Sequence, residues 1–215
     1  MTDFPKSTAY KKIIPKQKLY SNADITDELK KNFIRQIKKI VWRNKIADTT
    51  VNIAKGSYVT EIEIFGVSLS GKEFDENILR QIDKAIPYHI VFILEYEGKY
   101  QARIGYKEQN EKNSTFKVSR YFQTEWLMWE ELPLNIDGMN LDTVYENFVR
   151  QIAGKALVSE SEETLKTTIE RNQRRADLEK RIALLQKKIS REKQFNKKIE
   201  LKSQLKVLIQ QLEEC

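Results

Sequence analysis

The sequence has little of what most enzyme and secretory signatures require. Its 215 residues include one cysteine, Cys215, and one histidine, His89. A single cysteine excludes a disulfide framework and a cluster of thiolate metal ligands. The motifs GxxxxGK followed by Ser or Thr, GxGxxG, GxSxG and HExxH are absent, so the usual signatures of nucleotide-binding proteins and hydrolases are missing. We expect no cofactor.

Glycine (7 residues) and proline (4 residues) are also scarce, which argues against a long disordered or low-complexity segment. No apolar run approaches the ~20 residues needed to cross a bilayer. The first twelve residues, MTDFPKSTAYKK, lack the apolar core of a signal peptide. We therefore expect a cytoplasmic protein.

Charge is abundant and unevenly distributed. Charged residues make up 32% of the chain, so part of it should be an elongated, solvated element. The net charge of +7 divides into +6 for residues 1–39, −6 for residues 40–164, +9 for residues 165–206 and −2 for the last nine residues. Two basic ends thus flank an acidic middle, a distribution that bears on binding partners rather than on fold.

Three segments are predicted along the chain: a basic N-terminal arm (1–23), an α+β core domain (24–157) and a helical tail (158–215). Pro5 and Pro15 disfavour helix in the arm, so we expect it to be extended. The sheet of the core should be mainly antiparallel and flanked by helices. Helical periodicity predicts three helices, at Asp24–Arg43 (capped by Asp24 or Thr26), at Asp75–Ile86 and from Asn140 or Asp142 to Gly154. Strands are predicted at Thr50–Ala54, Tyr58–Leu69, Ile90–Glu97, Tyr100–Tyr106 and Phe116–Phe122. A turn is predicted at Glu97-Gly98-Lys99 and a polar loop at Gln109–Ser114.

The tail has strong helix formers throughout and no glycine or proline after Gly154. Its leucines and isoleucines follow a 4-3-4 spacing in two runs that are out of phase with each other. Those runs are Leu178, Ile182, Leu185, Ile189 and Leu201, Leu205, Leu208, Leu212. Two structures fit this pattern: one long coiled-coil helix with a stutter, or a helical hairpin that turns near Lys193–Asn196 with Asn196 capping the second helix. We favour the hairpin, since Phe195 and Asn196 interrupt the pattern together.

Several polar clusters have to be weighed as catalytic or metal sites. Asp83 with the triplet Glu97-Gly98-Lys99 imitates the acid and acid-x-Lys spacing of metal-dependent nucleases. Glu61 and Glu63 share one face of a strand and are interpreted as its solvated side, with a divalent cation as the alternative. The acidic residues around Gly138 lack calcium-loop spacing and fit a helix cap better. His89 is interpreted as a half-buried structural histidine.

Aromatic and basic residues point to macromolecular partners. The aromatic group Tyr121, Phe122, Trp126, Met128 and Trp129 suits a core or docking patch better than base stacking. Basic side chains attract phosphate backbones, although a solvated coiled-coil face is an equally good explanation for them. The predicted nucleic-acid-binding residues are Lys11, Lys12, Lys16, Arg171, Arg174, Arg175, Arg181, Lys187, Lys188 and Arg191.

A series of short segments, in order and at matching spacing, resembles a bacterial family named domain of unknown function 4391. The segments are PKST at Pro5, IPK at Ile14–Lys16, EIEIF at Glu61–Phe65, IDKAIPY at Ile82–Tyr88, YK at Tyr106–Lys107, YFQTEW at Tyr121–Trp126, NLDTVYE at Asn140–Glu146 and EKQFNKKIELKSQL at Glu192–Leu205. His89 departs from the residue expected in relatives. The resemblance brings no catalytic residues, because none are defined for the family. It implies an association with restriction-like DNA defence loci, where members are often encoded beside helicases and DNA methyltransferases.

These observations favour a non-catalytic accessory subunit of a bacterial DNA-processing or phage-defence system. It would dock a helicase or methyltransferase and contact nucleic acid. One alternative is a divergent metal-dependent nuclease that uses Glu61, Glu63, Asp83, Glu97 and Lys99. Another is a structural homodimer formed through the tail.

Overall fold

The computed structural model describes residues 4–20, 25–109, 116–157 and 164–214. The chain divides into two units, Met1–Ala156 and Leu157–Cys215, here named the core unit and the tail unit. The fold is α+β, as predicted: a six-stranded sheet with helices, and a long pair of C-terminal helices. Within the described ranges, no helix is long and apolar enough to span a bilayer.

The sheet runs in chain order from one edge to the other. Its strands are β1 (Ala9–Ile13), β2 (Ile37–Ala47), β3 (Glu61–Leu69), β4 (His89–Tyr96), β5 (Lys99–Gln109) and β6 (Phe116–Gln123). The helices are α1 (Gln17–Tyr20), α2 (Asp27–Gln36), α3 (Asn77–Ala85), α4 (Leu141–Ala153), α5 (Leu165–Arg191) and α6 (Phe195–Glu213). Neighbouring strands are antiparallel except β3 and β4, which are parallel and joined through α3. The prediction of a mainly antiparallel sheet is confirmed.

Helices cover both faces of the sheet. On one face, Phe33 of α2 and Ile82 of α3 pack with alternate residues of β3 and β4 such as Phe65 and Phe92. Side chains of a strand alternate between faces, so His89 points to the other face, where its ring lies 4.3 Å from the ring of Tyr145 in α4. The core therefore has two layers, one on each side of the sheet.

The predicted helix Asp24–Arg43 is wrong in its second half. Thr26 does cap α2, accepting a hydrogen bond from the Leu29 amide at 3.2 Å, but the helix ends at Gln36 and β2 begins at Ile37. The pairing of β2 with β3 shifts register between Ile37 and Lys39. Because such a bulge moves the alternation by one residue, Ile37 and Ile40 are both buried although they are three residues apart. The bulge imitates helical spacing.

The predicted strand Thr50–Ala54 is also wrong. Thr50 closes a turn: its hydroxyl accepts from the Ala47 amide at 2.9 Å and donates to the Lys45 carbonyl at 2.8 Å. Only Ala54 forms a bridge, with Asn140. The strand predicted from Tyr58 starts at Glu61, because the backbone of residues 57–59 bonds to Asp142 instead of to a neighbouring strand.

The described part of the predicted N-terminal arm lies in the core unit. Ala9–Ile13 is an edge strand, antiparallel to β2, and all five residues are exposed. Lysines on an exposed edge discourage pairing with another chain. Pro5 and Pro15 precede short helical turns at Lys6–Thr8 and Gln17–Tyr20, so the arm is not extended throughout.

Turn and cap signals predicted the remaining core elements well. Glu97 (φ 49°) and Gly98 (φ 75°) form the two-residue turn between β4 and β5, with Tyr96 opposite Lys99. Gly154 (φ 48°) ends α4, and Asn140 caps its start by accepting from the Thr143 amide at 3.0 Å. The polar loop predicted at Gln109–Ser114 lies, beyond Gln109, outside the described residues.

The tail unit is a helical hairpin, which confirms that prediction over a single long helix. Three residues separate α5 from α6, and the Gln194 amide donates to the Glu192 carboxylate at 2.8 Å within this turn. The seam between the helices is formed by Leu178, Ile182 and Leu208, with Leu185, Leu205 and Leu212 packed against them. Asn196 does not cap α6, since Gln194 occupies the N-cap position without a side-chain capping bond.

Candidate functional site

Asp83, the first nuclease suspect, is bonded inside the core unit. Its carboxylate lies 2.9 Å from the ammonium of Lys107, and the two side chains are 1% and 3% exposed. The hydroxyl of Tyr121 donates to the other carboxylate oxygen, and the Lys107 ammonium also donates to the Tyr88 carbonyl. Burial raises the pKa of Asp83, while Lys107 and Tyr121 oppose that shift. These contacts tie α3 to β5 and β6.

The triplet Glu97-Gly98-Lys99 lies at the opposite end of the β4–β5 hairpin from Asp83. Lys107, the partner of Asp83, lies eight positions after Lys99 along β5. At about 3.3 Å per residue, this separation is roughly 26 Å. Asp83 and Glu97 are therefore not brought together, and both Glu97 and Lys99 are exposed at the tip of a turn.

Glu61 and Glu63 are not on a solvated face, so that interpretation is wrong. Both are buried, at 9% and 1% exposure, because this face of β3 continues into the apolar core at Phe65. Glu61 forms an ion pair with Lys45 on β2. Burial, helped by the neighbouring Glu61, raises the pKa of Glu63 to about 10, which favours the neutral acid. Across the described ranges no group of three or more His, Cys, Asp or Glu side chains is placed to hold a metal ion.

His89 is more deeply buried than predicted. It is 2% exposed and lies between the rings of Phe116 at 4.9 Å and Tyr145 at 4.3 Å. Burial, with the Lys107 cation nearby, lowers the pKa of His89 to about 3. A neutral imidazole enclosed by two rings fits a packing role.

Asp142 has a role that sequence analysis missed. Its carboxylate accepts hydrogen bonds from the backbone amides of Ser57 (2.6 Å), Tyr58 (3.2 Å) and Val59 (2.8 Å). A Cβ at Gly56 would lie 2.0 Å from the same carboxylate. Asp142 therefore fixes the loop before β3 onto α4, across more than eighty residues of sequence. The Asp-x-x-x-Glu pattern on α4 was a usable signal, since the Tyr58 hydroxyl also donates to Glu146 at 3.0 Å.

Some residues of the predicted aromatic group are packed in the core unit, and others lie at its surface. Phe122 is buried, Tyr121 bonds to Asp83, and Trp126 packs against the core. Met128 is 51% exposed. Trp129 is half-buried, with the Arg43 guanidinium 4.2 Å from its ring centre.

The three predicted N-terminal cations have different surroundings. Lys11 and Lys12 are exposed on β1, with Lys12 against the ring of Tyr10. The ammonium of Lys16 donates to the Ile37 carbonyl at 2.7 Å and the Ile34 carbonyl at 3.5 Å. Lys16 thus satisfies carbonyl groups at the C-terminal end of α2, as cations commonly do there.

Most of the predicted tail cations lie on the exposed surface of α5. Arg171 is half-buried, and the other predicted tail residues are exposed. Arg174, Arg181 and Lys188 recur every seven residues, which places them along one side of the helix. Arg175 contacts Glu179 one turn later at 3.4 Å, an exposed pair that contributes little to stability.

A groove between α5 and α6 combines these cations with exposed apolar residues. It has a volume of about 930 Å³. Its floor is formed by Leu184, Leu185, Val207 and Leu208, of which Leu184 is 62% and Val207 52% exposed. Its rim carries Arg181, Lys187, Lys188 and Arg191 on α5 and two glutamines on α6, and none of the described lining residues is acidic. The tail unit therefore presents an apolar groove with a cationic edge, named the tail groove below.

Comparisons with curated proteins and with solved structures find no match. One family pattern matches residues 3–212, which includes the described part of the core unit and nearly all of the described part of the tail unit. Since this match covers nearly the whole chain, the protein belongs to the family described as Domain of unknown function (DUF4391).

Proposed function

We propose that this protein is a non-catalytic accessory subunit of a bacterial DNA-processing or phage-defence system. Its tail unit docks a larger protein, a helicase or methyltransferase, and its basic residues contact nucleic acid. The observation that carries the proposal is the tail groove, which is lined by exposed Leu184 on α5 and exposed Val207 on α6.

Exposed apolar side chains in a groove between helices favour a protein partner. Soluble proteins rarely leave contiguous apolar surface uncovered unless it binds something. An amphipathic helix places its apolar side chains into such grooves at spacings of three and four residues. The four cations of the rim complement acidic residues on the flanks of that helix.

The polar groups of the core unit support a structural role. Asp83, Glu61 and Asp142 are each engaged by a lysine or by backbone amides, and Glu63 is buried with its pKa raised by that burial. The class of the partner, a helicase or methyltransferase, rests on the family resemblance and its association with defence loci.

Nucleic-acid contact is supported by cations outside the tail groove. Arg174 and Arg175 are exposed near the middle of α5 and do not line the groove. Cations on one side of a helix neutralise phosphates and release counterions, which makes such binding sensitive to salt.

Co-purification from the native host tests docking. The full chain serves as bait, and Val207→Asp is compared with Ile199→Asp, which changes an equally exposed residue (52%) of α6 outside the groove. We expect the helicase or methyltransferase encoded nearby to co-purify with the unaltered chain and with Ile199→Asp, but not with Val207→Asp. Retention by Val207→Asp would refute the groove as the docking surface. A concentration-dependent dimer in sedimentation, abolished by Val207→Asp, would favour the homodimer instead.

Fluorescence anisotropy with labelled duplex DNA tests nucleic-acid contact. Arg174→Glu combined with Arg175→Glu is compared with Lys72→Glu combined with Lys117→Glu, which changes net charge equally on exposed sites of the core unit. We expect the tail variant to lower the slope of log affinity against log salt by about 1 to 2, and the core variant to leave it unchanged. Equal slopes in all three proteins would show that Arg174 and Arg175 of the tail unit do not contact DNA.

A further inference from the structure

A second concave surface lies in the core unit, on the face of the sheet that carries Gly66 and Ile93. This cleft has a volume of about 510 Å³. It is bounded by the N-terminal segment at Lys6 and Lys11 and by the aromatic side chains of Tyr100 and Trp129. Its size falls in the range of small-molecule sites, which is roughly 300–1,000 Å³. We name it the sheet cleft.

Arg43 is the central cation of the sheet cleft. A Cβ at position 66 would lie 2.9 Å from Arg43 Cδ, so the glycine there lets the arginine stem lie across β3. The guanidinium stacks on Trp129, with 4.2 Å between its carbon and the ring centre. It forms no hydrogen bond or ion pair with any described residue. Its N–H donors are therefore available to a ligand, and the contact with Trp129 restricts the position of the guanidinium.

Lys6 and Lys11 add two more cations to the wall of the cleft. Neither ammonium group bonds to a described residue, and both side chains are exposed. Lys11 adopts a left-handed backbone (φ 54°) where β1 bulges between Ala9 and Lys12. A non-glycine residue in this conformation costs free energy and often marks a functional site. Among the described residues that line the cleft, Glu95 is the only acidic one and three are cations, Lys6, Lys11 and Arg43.

Tyr100 and Trp129 supply two aromatic rings, packed edge to face, beside these cations. Their ring centres lie 5.3 Å apart at an angle of 76°, and each ring is half-buried. Aromatic side chains bind the faces of nucleic-acid bases without sequence preference. Phosphate is held best by a planar guanidinium that donates two parallel hydrogen bonds.

We propose that the sheet cleft binds a nucleoside monophosphate unit, with the phosphate on Arg43, Lys6 and Lys11 and the base against Tyr100 and Trp129. The unit is either a free nucleotide or the 5′-terminal nucleotide of a DNA strand. The proposal does not rest on docking by the tail groove, because every residue that carries it belongs to the core unit.

Calorimetric titration of the full chain separates the possible ligands. The probes are adenosine 5′-monophosphate, adenosine, inorganic phosphate, and one short single-stranded DNA with either a 5′-phosphate or a 5′-hydroxyl. We expect saturable binding of the monophosphate or of the 5′-phosphorylated strand with a Kd below about 1 mM. Adenosine and phosphate alone should bind at least about tenfold more weakly. If the two strands bind equally and the monophosphate does not bind, or if phosphate alone binds as well as the nucleotide, the proposal is wrong.

Arg43→Met tests the assignment of the phosphate contact. Methionine keeps an unbranched stem over Gly66 and removes the guanidinium, so we expect affinity to fall at least about tenfold. Arg35→Met, on the exposed side of α2, is the matched control and should bind normally. Lys6→Ala combined with Lys11→Ala changes only exposed side chains and provides a second test if Arg43→Met does not fold. Undiminished affinity in a folded Arg43→Met protein, or in the double lysine variant, would overturn the assignment.

Discussion

The ammonium of Lys107 lies 2.9 Å from the carboxylate of Asp83, and neither side chain is more than 3% exposed. A buried ion pair contributes little net stability, but the loss of one partner leaves an uncompensated charge. The two residues also fall in segments, IDKAIPY and YK, that carry the family resemblance. We interpret the pair as a structural link between α3 and β5.

Removal of one partner of this pair should lower the free energy of unfolding far more than removal of both. We expect Lys107→Met to lower the free energy of unfolding by about 3–5 kcal/mol, and Asp83→Leu combined with Lys107→Met to recover most of that loss. Urea unfolding followed by tryptophan fluorescence measures this in the core unit, because Trp42, Trp126 and Trp129 all lie there. Lys55→Met, which breaks an exposed pair with Asp48 elsewhere in the core unit, is the control and should cost less than about 1 kcal/mol. A double variant no more stable than Lys107→Met alone would contradict a coupled pair.

Asp142 should be a second strong determinant of core stability. Asp142→Ala removes the acceptor of three backbone hydrogen bonds from residues 57–59, and we expect a loss of about 2–4 kcal/mol. Asp142→Asn keeps one carbonyl oxygen and should lose less. Asp137→Ala, an exposed acid in the preceding loop, should change stability by less than about 0.5 kcal/mol. The same fluorescence-detected urea titration compares the three variants, and equal losses from Asp137→Ala and Asp142→Ala would contradict the role of the carboxylate.

Two nearby apolar residues of α5 should differ in how much they contribute to the stability of the tail unit. Ile182 is 9% exposed in the seam, whereas Leu184 is 62% exposed in the tail groove. We expect Ile182→Ala to destabilise the tail unit by about 2 kcal/mol, and Leu184→Ala to leave its stability nearly unchanged. Thermal unfolding followed by circular dichroism at 222 nm measures the helical signal, most of which comes from α5 and α6. Similar melting curves for the two variants would place the seam elsewhere.

The parts of this fold that were predictable from sequence depend on local signals. The β4–β5 hairpin follows from the Glu97-Gly98-Lys99 turn after an apolar strand, and the tail hairpin follows from the change of phase between two leucine runs. The start of β2 was not predictable, because the bulge after Ile37 reproduces helical spacing. A local pattern could not distinguish that bulged strand from a continued helix.

The contacts of the candidate sites were harder to predict than the elements that carry them. Arg43 and Trp129 are 86 positions apart in sequence, and only the folded sheet brings them together. Glu61 and Glu63 were interpreted as the solvated face of their strand. The nine-residue strand shows that the two share a face, but its sequence does not reveal which face the helices cover. The basic character of the tail was evident from sequence, but the apolar floor of the tail groove was not, because Leu184 and Val207 lie outside the heptad pattern.

Glu63 should make the core unit less stable as pH rises. Its pKa is about 10 in the folded protein, raised from the ordinary value of 4.5 by burial and by Glu61. Between pH 4.5 and pH 10 the glutamate is ionised in the unfolded chain but neutral in the folded protein. The free energy of unfolding should therefore fall steadily from pH 5 to pH 9. Glutamine mimics the neutral acid and does not titrate. The free energy of unfolding should therefore drop less between pH 5 and pH 9 in Glu63→Gln than in the unaltered protein, by at least about 1 kcal/mol. Urea titration with tryptophan fluorescence measures both drops. Glu73→Gln, at an exposed position, should keep the pH dependence of the unaltered protein. A Glu63→Gln protein with that same dependence would show that Glu63 is ionised in the folded state.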